Sequence, residues 1–232
     1  MFGKRLINTG GSVCPSSEFD IFGDSSGVAL YQLNSNADDS SGNYDGTATD
    51  VTYVSGHIDN AGSFNGSSSY IQNDSLANEI FKGYFTINLW ANTPSSLPRK
   101  SIFHTQDDNN GHLPQASVAV ENYNYNIEVR TNSSSKLTST NIPITFGVWE
   151  MITLVLDSTG VKFYLNGIEQ ASALFTPVFT TNTSAPTSLG RLNQRWISSV
   201  GDYYNGLIDQ VRIFNKALTL TEVTTLYNEV AC

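Results

Sequence analysis

From residue 28 to residue 214 the chain is divided into short runs of alternating apolar and polar residues, separated by clusters of Gly, Asn, Asp and Ser. Alternation with a period of two marks a strand with one buried face. The runs fall at residues 28–33, 51–54, 61–64, 69–72, 84–91, 101–105, 116–121, 125–131, 150–157 and 161–165. In the longest of the early runs Phe85, Ile87 and Leu89 share one face. The pattern commits the chain to an all-β fold built from sheets that each bury one side.

Turn and cap chemistry supports this reading. Ser158-Thr-Gly160 joins two runs into a hairpin, and Asn166-Gly167 suits a type I′ turn, whose two central residues both need positive φ. That requirement explains Asn166 and Gly167 without any ligand. Ser75 is expected to cap a single helical turn. Thr219-Leu-Thr-Glu222 reads as a capping box, followed by Val223, Leu226, Tyr227 and Val230 at helical spacing, so a short C-terminal helix should pack on the strands.

A chain of 232 residues with 39% hydrophobic and only 14% charged residues fits one large β-domain with polar, uncharged loops. The net charge of −9, without a basic cluster, argues against nucleic acid as a partner. Residues 1–26 are rich in Gly and Ser and read as an extended N-terminal arm for attachment or assembly, with the domain at 27–232. The arm has no apolar core of the kind used for secretion, and no run is long enough to insert into a membrane. Cys14 and Cys232 lie near opposite ends, where both a bridge and two free thiols are compatible with the spacing.

One residue interrupts the pattern. In Tyr203–Phe214 the residues Ile208, Val211, Ile213 and Phe214 read as core, yet Asp209 stands among them, and a buried carboxylate needs a partner. Three further motifs precede this one: Asp39-Ser-Ser-Gly-Asn-Tyr-Asp-Gly-Thr47, Phe64-Asn-Gly-Ser-Ser-Ser-Tyr-Ile71 and Val161-Lys-Phe-Tyr-Leu-Asn-Gly167. In this order, with Trp90 and Trp149 on core strands and a helix at the end, they resemble the laminin G-like, concanavalin A-like jelly-roll family across residues 27–230. The resemblance implies a sandwich of two antiparallel sheets with a short C-terminal helix. It also implies a structural calcium ion held by Asp39, Asn43 and Asp209. Many relatives carry a second acid where this chain has Gln210, which lowers the charge available to the ion. On the residues alone, Asp39 instead caps a turn and Asp209 accepts hydrogen bonds from backbone or from Arg212.

Enzymes of the concanavalin A-like fold are expected to carry a Glu-x-Asp-x-x-Glu string, because glycosidase chemistry holds two carboxyl groups across the sugar. The string does not occur here: Glu121, Glu128, Glu150 and Glu169 stand singly. His57, His104 and His112 are dispersed and are expected to be solvated or hydrogen-bonded. Glycan binding needs an exposed aromatic beside amides and hydroxyls, and the loops offer Tyr123 and Tyr125, then Asn193, Arg195 and Trp196 with Tyr203.

The opening segment through residues 27–33 resembles the start of structural proteins of tailed marine bacteriophages. That resemblance implies a non-enzymatic virion protein, assembled in the host cytoplasm, whose arm docks on other virion proteins while an oligomeric jelly roll projects toward cell-surface glycans. A free-standing or secreted, extracellular lectin-like module is the alternative, and a glycoside hydrolase or lyase the third reading.

Overall fold

A computed structural model describes residues 19–95, 98–106, 114–131, 136–179, 186–192 and 201–229. In chain order its elements are β1 (Gly27–Tyr31), β2 (Thr47–Thr49), β3 (Thr52–Ser55), β4 (Asn60–Asn65), β5 (Tyr70–Asn73), α1 (Leu76–Ile80), β6 (Phe85–Asn92), β7 (Lys100–Gln106), β8 (Gln115–Glu121) and β9 (Asn124–Arg130). They continue with β10 (Lys136–Pro143), β11 (Trp149–Asp157), β12 (Gly160–Leu165), β13 (Ile168–Leu174), β14 (Thr187–Leu189), β15 (Asn205–Phe214) and α2 (Leu220–Tyr227).

The strands form two antiparallel sheets, as the alternation requires. The eight-stranded sheet runs β13-β12-β11-β6-β15-β4-β3, with β1 also pairing to β15, and the seven-stranded sheet runs β10-β9-β8-β7-β14-β5-β2. Between them lies the main core, where Phe85, Ile87 and Leu89 meet Phe103, Val118 and Ile127. The turn at Asn166-Gly167 has φ of 52° and 78°, as a type I′ turn demands.

Strand β15 departs from strict alternation, and the departure organises the molecule. Ile208 and Val211 both face the core although they lie three positions apart, an odd offset that an unbroken strand forbids. A bulge between Asp209 and Arg212 resolves this, with Gln210 at φ 47° supplying the extra residue. Asp209 and Arg212 are thereby turned away from the core between the sheets, onto the outer face.

That outer face is covered by a second apolar cluster. Val223 and Leu226 of α2 pack with Trp90, Met151, Val155, Tyr164 and Phe214. The capping box forms as the sequence indicates: Thr219 Oγ1 accepts the Glu222 backbone N–H, and the Glu222 carboxylate accepts the Thr219 N–H. Arg212 Nη2 donates to both carboxylate oxygens of Glu229 at 3.3 Å, and the two side chains are 1% and 2% exposed. Burial pushes the Arg212 guanidinium down and the Glu229 carboxyl up, while each partner's charge opposes the shift of the other.

Several local expectations change. Ser75 occupies the N-cap of α1 but its side chain does not cap; Asn73 Oδ1 instead accepts the N–H groups of Ser75 and Leu76. Trp149 is half-buried rather than a core residue. Residues 19–26 do not behave as arm: Ile21 is buried in the second cluster, and the Asp20 carboxylate accepts the N–H groups of Ser25 and Gly27. Lys216 pairs with Asp24 and Glu222, and the Lys216 bond holds the Asp24 carboxyl down at about 2. Cys14 and Cys232 lie outside the described residues.

Candidate functional site

The outer face of the seven-stranded sheet is polar from strand to strand. Because Ile71, Leu189, Phe103, Val118 and Ile127 point inward, the residues next to them in each strand point outward. The register places Thr47, Gln72, Ser188, His104, Ser117 and Glu128 directly opposite one another across β2, β5, β14, β7, β8 and β9. Glu128 accepts from Gln115 Nε2 at 3.0 Å and pairs with Arg130. His104 is fully buried, and neither ring nitrogen reaches hydrogen-bond geometry with a partner. Burial pushes it down to about 3, the Arg99 charge acts in the same direction, and the Gln106 side chain opposes them. His104 is therefore not solvated, and the group it faces is the Gln106 side chain. His57 is half-buried and stacks on Trp90 at 3.6 Å between ring centroids, and His112 lies outside the described residues.

Where this face meets β2 and β5 there is a cavity of about 380 Å³ lined by Asp45, Thr47, Tyr70, Gln72, Asn73 and Asp74. Its geometry is fixed from beneath. The Arg191 guanidinium lies 3.4 Å from the Tyr70 ring centroid and donates to Gln72 Oε1. With its oxygen taken, Gln72 turns Nε2 to Asp74 Oδ1 at 2.5 Å. Asn73 Nδ2 donates to the Asp45 carbonyl at 3.0 Å, and Asp45 Oδ1 accepts the Asp39 N–H at 3.0 Å. An aromatic ring, an oriented amide, a hydroxyl and two carboxylates thus border one concavity, a combination that suits a small polyhydroxylated ligand.

Asp209 sits on the opposite sheet. Its Oδ2 accepts the N–H groups of His57 and Ile58, each at 2.9 Å, from the loop between β3 and β4. Its Oδ1 is buried without a donor among the described residues. Burial pushes the carboxyl up to about 7; the Ile58, His57 and Gln210 N–H groups oppose the rise and the nearby Asp59 charge adds to it. Of the two partners considered from sequence, backbone is the one used, since Arg212 goes to Glu229.

Of the three calcium candidates, Asp39 and Asn43 share one network through Ser41, and Asp209 belongs to another. Asp39 Oδ1 accepts the N–H groups of Leu30 and Ser41, and Oδ2 accepts Tyr44 N–H and the Ser41 hydroxyl, so it caps its turn. Asn43 is exposed and directs its amide to Ser41 Oγ. Among the described residues no group of three or more His, Cys, Asp or Glu side chains lies close enough to hold a metal. Asp209 alone of the three fits a cation: its buried Oδ1 lacks a partner, and Asp59 adds negative charge nearby.

The glycan candidates also scatter. Tyr123 is 55% exposed at the β8–β9 turn, edge-on to Phe146. Tyr125 is fully buried in the main core with its hydroxyl on Glu150 at 2.9 Å, which removes it from any surface platform. Tyr203 bridges to Ser101, while Asn193, Arg195 and Trp196 lie outside the described residues. The sequence reading missed Tyr70 and Gln72, although their alternation around buried Ile71 inside the Phe64–Ile71 motif marks them as outward-facing. Nothing local in the sequence brings Arg191 to them.

Comparisons with known proteins agree with this architecture. The family model described as the concanavalin A-like lectin/glucanases superfamily, of laminin G type, matches residues 65–224. Domain 4 of an extracellular arabinanase from Geobacillus stearothermophilus, solved in complex with arabinotriose, is 26% identical with a TM-score of 0.70, covering 87% of this chain and 98% of that one. The receptor-binding domain of botulinum neurotoxin type G is 19% identical with a TM-score of 0.63, covering 88% of this chain and 51% of its own. A Trypanosoma rangeli sialidase mutant is 14% identical with a TM-score of 0.67, covering 87% of this chain and 32% of its own. The chain thus spans about half of the neurotoxin domain and about a third of the sialidase. No curated protein matches the sequence significantly. With a family match over most of its length and a two-sheet architecture to go with it, this chain belongs to the concanavalin A-like lectin/glucanases superfamily.

Proposed function

We propose that the chain is a non-catalytic carbohydrate-binding module whose ligand lies in the cavity at the β2–β5 end of the seven-stranded sheet. The observation that carries this reading is the cavity itself, where Tyr70 is surrounded by polar groups held in fixed orientations. The arabinotriose complex of the arabinanase domain supports it, because this chain covers nearly that entire domain. The neurotoxin binding domains give a weaker, fold-level support, one of them being described as entering cells through two ganglioside molecules.

Calorimetric titration with arabinotriose, alongside a glycan array, tests the reading. Tyr70→Ala removes the ring and its cation–π contact and should weaken binding about tenfold. An unchanged affinity would move the ligand elsewhere, and release of reducing ends from polysaccharide would overturn the non-catalytic part.

At a finer level, we read the module as part of a virion, with the segment before Phe19 attaching it to neighbouring virion proteins as an oligomer. The support is the resemblance of the opening segment to phage structural proteins. Because Ile21 and Asp20 belong to the packed domain, a truncation must stop at residue 18. Removing residues 1–18 is expected to leave the melting temperature unchanged within about 2 °C, a shift below about 1 kcal/mol, while abolishing incorporation into particles. A truncated protein that still enters particles would reject the attachment role of this segment, and full-length protein absent from particles would reject the virion reading and leave the extracellular lectin-like module in its place.

A further inference from the structure

The charges around the cavity decide more than its location. Asp45 and Asp74 line it, and among the described residues no Lys, Arg or His does. Each acid uses one carboxylate oxygen within the fold: Asp45 Oδ1 accepts the Asp39 N–H, and Asp74 Oδ1 accepts Gln72 Nε2. Their second oxygens have no protein donor among the described residues. Arg191, the cation beneath the cavity, is 9% exposed and is committed to the Tyr70 ring and to Gln72 Oε1. Its charge is spent beneath the cavity wall rather than offered to a ligand.

Resting on the carbohydrate reading above, we propose that this cavity selects uncharged sugars, with Asp45 and Asp74 as its specificity-determining residues. A carboxylate is an acceptor only, and a sugar hydroxyl is a donor, so each free oxygen pairs with a hydroxyl of a neutral ring. A carboxylate or sulfate on the ligand brings no donor and adds a like charge within a few ångströms of two fixed ones. At contact distance each such repulsion, even in water, is on the order of a several-fold loss in affinity, and two together amount to at least about tenfold. The protein's net charge of −9 acts in the same direction at longer range.

The test places oligosaccharides of matched length on one array: arabinotriose and maltotriose as neutral probes, trigalacturonate and sialyllactose as anionic ones. Wild-type protein is compared with Asp45→Asn, Asp74→Asn and the double variant at low and physiological salt. Asn preserves the oxygen acceptor that each acid uses within the fold. The wild type is expected to bind a neutral probe at least about tenfold more tightly than either anionic probe, with the gap narrowing as salt rises. The double variant is expected to gain anionic binding by a similar factor. Equal wild-type affinity for neutral and anionic probes overturns the selectivity while leaving carbohydrate binding intact. Neutral binding that ignores substitution of Tyr70, Asp45 and Asp74 alike overturns the cavity assignment. Absence of binding to every glycan rejects the carbohydrate reading and this inference with it.

Discussion

Replacing Asp209 by Asn is expected to stabilise the protein at pH 8 in the presence of a chelator, by about 2 kcal/mol. Asp209 is fully buried with Oδ1 unpartnered, and its carboxyl is pushed up to about 7 from an ordinary value of 3.8. Because the folded value lies above the unfolded one, the folded protein retains a proton that the unfolded chain has already lost. The residue is therefore neutral in the stability balance below about pH 4, turns against folding as pH rises from about 4 to about 7, and stays unfavourable above that. A shift of this size corresponds to about 4 kcal/mol. Asn keeps an oxygen for the His57 and Ile58 N–H groups but leaves a buried NH₂ without an acceptor, which returns about 1–3 kcal/mol of the gain. Denaturant melts across pH 4–8 are the measurement. The wild-type profile should fall relative to that of the variant through this window, because His104, held low by burial, raises the stability of both proteins alike as pH rises; two profiles that run parallel would sink the argument. We further propose that calcium reverses the order. A cation on Oδ1 replaces the missing donor, so millimolar calcium should raise the wild-type midpoint at pH 8 and leave the variant unmoved.

The second large effect belongs to Arg212 and Glu229. Glu229→Gln removes the carboxylate and strands a buried guanidinium, and Arg212→Met strands a buried carboxylate; each is expected to cost about 3–5 kcal/mol. The double replacement Arg212→Met with Glu229→Leu leaves no charge behind and should stand within about 1 kcal/mol of wild type, or above it. Urea titrations of the four proteins measure this coupling. A double variant as damaged as either single would mean that the pair contributes by shape rather than charge. Because Glu229 lies just beyond α2 and Arg212 on β15, the single variants should also loosen the helix, seen as faster amide exchange at Val223 and Leu226.

The fold was largely legible because its determinants are local. Alternation marked most of the strands, though not β2, β10 or β14, while Asn166-Gly167 marked a turn and Thr219-Glu222 the start of α2, each readable within a few residues. The bulge at Gln210 was less so: the odd spacing of Ile208 and Val211 is a signal, but an acid beside it drew the eye to a metal instead. The site resisted for a different reason. Tyr70, Gln72 and Arg191 meet through the pairing of β14 with β5, a contact that joins residues more than a hundred positions apart and leaves no trace in either segment alone. Tyr125 misled because Asn122 and Tyr123 just before it occupy an exposed turn, whereas at the second residue of β9 the strand alternation carries the side chain inward.

The insertion of β14 between β5 and β7 has a consequence for how the polar row comes into being. Thr47 and Gln72 are made early in the chain, His104, Ser117 and Glu128 later, and Ser188 closes the gap between them last. Neither half of the sheet is joined to the other until that strand arrives, so the row cannot exist in a fragment or on a nascent chain that ends before it. Such non-local closure predicts slow folding, with recognition appearing only at the final step. Ligand affinity would then double as a probe of complete folding, since before β14 docks the cavity lacks Arg191 beneath Tyr70 and Gln72.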